Sequence, residues 1–384
     1  MNINKISWWT PKIGNEEIKF IKQVFDNNFP NEGELTTLFE QKLCKLLDCK
    51  YATAVTSGTA AIFLVLKGLG IGYGDEVIVP DITFIATANA VEMCGAKPIL
   101  VDIDKERMTM SIDNSLNSLS KAITKKTKAI IPVHVSGRAA DMEAISEIIT
   151  DYNSNHNNNI KIVEDAAEAL LSKHNGKYLG TFGKAGCFSF SPNKTITTGQ
   201  GGIIVTDDHD LHIRLRELKD QGRPIRGTGG DDIHNVVGYN FKFTDLQAAV
   251  GLGQLNYLET RIGRMKRVHS LYFDYLRDLD DIFLLPFDIE ECPQWTDVII
   301  GNEDDSEKRN QLYEYLKNNG IECRKYWLPL HTQKPYKLPD NNFQNSTKLS
   351  PKAMWLPSAF TLSDSDIETV CNHIRKFLTK EVVK

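Results

Sequence analysis

The chain has 384 residues, of which 41% are hydrophobic and 25% charged, the balance of a soluble globular protein large enough for a sizeable core and two domains. Its formal net charge is −5 and its basic residues are scattered, so the electrostatic footprint of a nucleic-acid partner is missing. No apolar run approaches the roughly 18 residues of a membrane span, and the opening MNINKISWWTPKIGNEE lacks a signal-peptide core, so a cytoplasmic protein without a membrane partner is expected.

Short apolar runs recur along the first half: YATAVT (51–56), EVIVP (76–80), KPILVDI (97–103), KAIIPVHV (128–135), IKIVEDA (160–166), GCFSF (186–190) and GGIIVTD (201–207). They are continuous rather than alternating, as strands covered by helices on both faces should be. Between them GTAAIFLVLKGLG, ATANAVEMCG and ADMEAISEIITDY read as helices, and the alternation predicts a mostly parallel, doubly wound α/β sheet. The polar tract NSNHNNN (153–159) reads as a solvated connection. From Asp245 a long helical region follows, and then a smaller second unit with a helix at SEKRNQLYEYLKNNG, a strand-like IECRKYW and a terminal helix at SDIETVCNHIRKFL. The expected division is a cofactor-binding domain over 1–250 and a smaller domain over 251–384. The seven cysteines lack paired ligand spacing, so reduced thiols and no metal site are expected.

Four predicted strand ends carry residues that one ligand could use, on the side of an open sheet where ligands bind. In TSGTAAIFLVL, Ser57-Gly58-Thr59 turns from a strand into a helix whose free N–H groups suit a phosphate, although Ser57 could equally be an ordinary cap. In IKIVEDAAEAL the strand delivers Asp165, a carboxylate that needs a cationic or hydrogen-bonding partner unless it caps a helix AAEALL. Lys194 follows the GCFSF strand, either as a surface lysine or as a nucleophilic amine made reactive by desolvation or imine formation. Phe84, in DITFIATANAV, offers a flat ring face or belongs to the core.

Pyridoxal 5'-phosphate asks for all four contacts: a lysine for its aldehyde, an acid for its ring nitrogen, a helix N-terminus for its phosphate and a flat surface for its ring. A nucleotide cradle at TTGQGG lacks the G-x-x-x-x-G-K-[ST] and G-x-G-x-x-G patterns. Gly199, Gly201 and Gly202 there read as a turn with close backbone approach.

With TSGTAA, PDITFIATANAV, VEDAAEAL, SFSPNKTITTGQGG and GYNFKFTDLQAAVGLGQL in order, the chain resembles the DegT/DnrJ/EryC1/StrS sugar aminotransferases over almost its whole length. The resemblance implies a fold type I (aspartate aminotransferase-like) α/β architecture with a seven-stranded, mostly parallel sheet in the large domain. It implies that Lys194 forms the Schiff base, Asp165 meets the ring nitrogen, Phe84 stacks on the ring, and Gly58, Thr59 and Ser189 hold the phosphate. Asn240 would reach the phosphate of a neighbouring subunit, giving a homodimer with shared active sites, and Glu168 stands where many relatives have glutamine. VEDAAEAL with LKDQGRPIRGTGGDD resembles the branch that makes perosamine from a GDP-linked 4-keto-6-deoxy sugar for surface polysaccharides such as O-antigen. L-Glutamate would be the donor; UDP- or dTDP-linked keto sugars, or a cofactor-binding regulatory role, are the alternatives. His331, Arg223 and Arg226 are candidates to touch the sugar nucleotide. A subgroup with histidine at the lysine position removes a hydroxyl instead, and Lys194 favours amine transfer.

Overall fold

A computed structural model describes residues 5–112, 117–224, 232–301 and 306–381. Its strands are β1 (Tyr51–Val55), β2 (Glu76–Pro80), β3 (Lys97–Val101), β4 (Thr127–Ile130), β5 (Lys161–Asp165), β6 (Lys173–His174), β7 (Lys177–Tyr178), β8 (Ala185–Ser189), β9 (Gly202–Thr206), β10 (Ile282–Leu284), β11 (Thr296–Ile300), β12 (Arg324–Lys325) and β13 (Ala353–Leu356). The helices are α1 (Asn15–Asp26), α2 (Glu34–Leu47), α3 (Gly58–Gly68), α4 (Ala86–Met93), α5 (Leu119–Ala122), α6 (Met142–His156), α7 (His209–Lys219), α8 (Asp245–Leu255), α9 (Leu258–Leu276), α10 (Ser306–Asn318), α11 (Gln344–Leu349) and α12 (Asp364–Glu381).

Seven strands form one sheet in the order β1-β9-β8-β5-β4-β2-β3. The pairings β2–β3, β2–β4, β4–β5 and β5–β8 are parallel, and only β9 runs against its neighbours β8 and β1. The seven continuous apolar runs are these seven strands. They are mostly buried because helices cover the sheet, and α3 is buried along residues 60–66 between the sheet and α7. A second, antiparallel sheet, β10-β11-β13-β12, packs its apolar side chains against α9, α10 and α12.

Several elements differ from the sequence expectation. The tract at 153–159 is not all connection: α6 runs through Asn153 to His156 and stops only where Asn157 adopts the left-handed conformation (φ 50) that asparagine tolerates. The long helical region is two helices, broken at Asn256 and Tyr257. IECRKYW holds only the two-residue β12. The helix suggested after Asp165 does not form; residues 166–172 are turns.

Candidate active site

The carboxyl ends of β1, β5 and β8 open on one cavity of about 340 Å³. At its first wall Ser57 caps α3, its Oγ accepting the Ala60 N–H at 3.1 Å. The preceding N–H groups of a helix have no partner inside it, so Gly58 and Thr59 bring both donors and the positive dipole end to the cavity. Ser189, the last residue of β8, stands so close that a Cβ on Gly58 would lie 3.0 Å from its own Cβ. Beneath them a Cβ on Gly202 would come within 2.5 Å of the Ser57 carbonyl. Only glycine lets β9 run this near the turn, and the result is a cradle of the size and polarity that a phosphate takes.

Opposite, Asp165 is 6% exposed at the end of β5. Its Oδ2 accepts from Thr87 Oγ1 at 2.7 Å and its Oδ1 from the Ala167 N–H at 3.1 Å. Burial raises its pKa above the ordinary carboxylate value, against the lowering effects of Thr87, Ala167 and Lys194; Glu168 adds to the rise. A carboxylate this buried is stabilised as an anion by a cationic partner in the cavity.

Lys194 lies in the loop after β8, and its Nζ donates to Glu168 Oε1 at 3.0 Å. Glu168 is fixed in turn, because its Oε2 accepts the Ser136 N–H at 2.9 Å. Ser136 holds a left-handed conformation (φ 55) that non-glycine residues seldom adopt, and it is kept there by its neighbours. Its Oγ donates to Asp297 Oδ1 at 2.8 Å and accepts from Trp355 Nε1 at 3.2 Å. Asp297 also pairs with the buried Arg138. On the same wall His134 Nδ1 accepts the Ala140 N–H at 3.2 Å. That places the ring proton on Nε2, 3.0 Å from Glu164 Oε2, and makes the imidazole a neutral donor.

Gly58, Thr59, Phe84, Asp165, Glu168, Ser189 and Lys194 all line the cavity. Phe84 is 54% exposed, so its ring belongs to the cavity wall and not to the core. Asn240 does not line it; the residue is exposed and its backbone bridges to Asp220. His331 does not line the cavity either; it is buried, its Nδ1 2.6 Å from Asp81 Oδ2 and its ring stacked on Phe343. Arg223 pairs with Asp232 at 2.9 Å away from the cavity, and Arg226 lies outside the described residues.

The sequence reading missed Thr87 and a whole wall made by Trp8, Trp295, Trp327, Trp355 and Arg324. Trp8 stacks on Trp295 at 4.6 Å and Trp327 meets Trp355 edge-on at 5.0 Å. The doublet at Trp8 and Trp9 was the one visible signal, since paired tryptophans seldom sit idle on a surface. Among the described residues no group of three or more His, Cys, Asp or Glu could hold a metal ion, and no helix is long and apolar enough to cross a membrane. Pyridoxal 5'-phosphate fits what is present among the described residues: a phosphate cradle at Gly58 and Thr59, a buried acid with no ion-pair partner, a cavity lysine, and the exposed Phe84 ring.

The sequence profile described as the DegT/DnrJ/EryC1/StrS aminotransferase family matches residues 11–375. A GDP-perosamine synthase of Escherichia coli O157:H7 is 35% identical over 370 residues, which are 96% of this chain and 97% of that protein. Two solved structures share the architecture. S. venezuelae DesV in complex with a ketimine intermediate superposes with a TM-score of 0.85 at 30% identity, covering 94% of each chain. The PLP form of Spr1654 from Streptococcus pneumoniae superposes with a TM-score of 0.90 at 25% identity, covering 98% of this chain and 99% of that one.

Proposed function

We propose, for a chain that belongs to the DegT/DnrJ/EryC1/StrS aminotransferase family, the transfer of an amino group from L-glutamate to the keto carbon of GDP-4-keto-6-deoxymannose, giving GDP-perosamine. The chain is a pyridoxal-phosphate-dependent aminotransferase of fold type I. The observation that carries the reading is the opening of Lys194 and Asp165 onto one cavity beside a helix N-terminus. For the nucleotide and the sugar, support comes from the similarity to a GDP-perosamine synthase.

When bound, the cofactor supplies an aldehyde that condenses with amines and a ring that accepts the electron pair left when a neighbouring C–H bond breaks. The chain's own groups do the rest. Gly58 and Thr59 N–H groups with Ser189 hold the phosphate, and Phe84 covers the ring. Asp165, fixed by Thr87 and Ala167, keeps a proton on the ring nitrogen and gains the cation that its buried carboxylate needs. Lys194 Nζ would hold the cofactor's aldehyde through its amine and, once released, would move a proton at the donor's α-carbon, while Glu168 limits its swing through the 3.0 Å hydrogen bond. Glutamate leaves as 2-oxoglutarate before the sugar enters, so the two substrates use the cavity in turn.

The exposure of Asn240 outside the cavity supports a homodimer in which Asn240 of one protomer reaches the phosphate site of its partner. The dimer, a cytoplasmic setting and a role in surface-polysaccharide synthesis complete the reading. The test is amination of keto sugars linked to GDP, UDP or dTDP, with glutamate as donor, following 2-oxoglutarate and product mass. Turnover with the GDP sugar and parallel initial-rate lines are expected. Preference for a UDP or dTDP sugar overturns the substrate, and no 2-oxoglutarate with any of them overturns the reaction.

A further inference from the structure

Four charged side chains line the cavity among the described residues: Asp165, Glu168, Lys194 and Arg324. The first three are committed, since Glu168 and Lys194 hold each other and Asp165 faces the ring nitrogen in the reading above. Arg324 has no such partner among the described residues. The acid nearest to it in sequence, Glu322, is taken by Lys5 at 2.6 Å, and its close neighbours are aromatic. Its Cζ lies 5.1 Å from the centre of the Trp8 ring and 5.4 Å from that of Trp355. Two neighbouring indoles, with ring centres 6.3 Å apart, lie against the guanidinium on one side, which leaves N–H groups to make hydrogen bonds on the other. The residue is also fixed through the backbone, because Arg324 is the register partner of Trp355 in the β12–β13 pairing.

An oxyanion is the chemistry that completes such a group. Both substrates carry one: carboxylates on the amino donor and a diphosphate on the sugar nucleotide. We propose that Arg324 binds a carboxylate of the amino donor, an inference that rests on the aminotransferase reading. A planar fork held flat and partly desolvated matches the two oxygens of a carboxylate. At the end of the first half of the cycle the leaving keto acid gives up the same contact, which frees Arg324 before the sugar nucleotide enters.

The test reads binding without turnover. Glutarate, a dicarboxylate with no amine to react, is titrated calorimetrically into the full-length, cofactor-loaded protein and its R324Q and R324K variants, with GDP as the second ligand. Glutarate affinity is expected to fall about tenfold or more in R324Q, where a charge-assisted pair is lost, and to recover in part in R324K. GDP affinity should not change. Equal glutarate affinity in wild type and R324Q overturns the proposal, and a loss of GDP affinity with glutarate retained reassigns the anchor to phosphate and overturns it too. The aminotransferase reading fails separately, through absence of 2-oxoglutarate from the wild-type protein given glutamate and a keto sugar.

Discussion

At the scale of single residues, Asp165 is held at a cost. Burial raises its pKa, so the folded protein without cofactor binds a proton there more readily than the unfolded chain does. By linkage its contribution to stability is complete below the ordinary carboxylate pKa and is lost as pH rises through the raised folded value. Asp165→Asn removes that loss, because the amide oxygen can keep the Ala167 N–H and the Thr87 hydroxyl can turn to accept. Cofactor-stripped D165N should therefore melt above wild type at pH 7, with the gap closing toward pH 4, as calorimetry at several pH values would show. The loaded variant should lose about 10²-fold or more in turnover, since nothing then keeps the ring nitrogen protonated. Asp165 and Lys194 could be read from the sequence because each follows an apolar run that could only be a buried strand. Thr87, Trp295, Trp327 and Arg324 could not, because their importance comes from segments far apart in the chain meeting at one wall.

At the scale of elements, the contact between β9 and the N-terminus of α3 builds the phosphate cradle. Gly202 pairs with both Val55 and Ser189 in the sheet, and a side chain there meets backbone, which cannot move aside as a rotamer can. Gly202→Ala is expected to cost about 1–3 kcal/mol of stability and to release the cofactor on gel filtration, whereas a mutation equally destabilising but remote from α3 should keep it. The strands of this sheet were legible because burial on both faces forces unbroken apolar runs. The break at Asn256 was not, since both sides of it are rich in helix formers and the chain turns there for packing. The extra turns of α6 escaped notice because asparagine and serine, weak helix formers in isolation, are carried along by the apolar face of the residues before them.

At the scale of the whole molecule, a buried ion pair ties the loop after β4 to the second sheet. Arg138, in the loop after β4, meets Asp297 on β11, and both are fully buried. Removing one partner leaves a charge without compensation. Arg138→Met should lower unfolding free energy by about 3–5 kcal/mol in urea titration, and the double variant with Asp297→Leu should recover much of it. Because Asp297 also anchors Ser136, and Ser136 anchors Glu168, the single variant should loosen Lys194 as well. None of this could be foreseen from spacing: the partners are 159 residues apart, and neither stands in a motif. The parallel sheet was predictable from local pattern; the way the second sheet packs against the segments that follow β2, β3 and β4 depends on contacts that no local pattern encodes.

The tryptophan wall has a last consequence. All five tryptophans of the chain belong to one connected aromatic group, with Trp9 joined through Trp295 at 4.9 Å. The protein's tryptophan emission therefore originates beside its chemistry. A yellow chromophore seated in the cavity will drain that light by resonance transfer, so loading and emptying are written into the intrinsic glow of the unlabelled molecule.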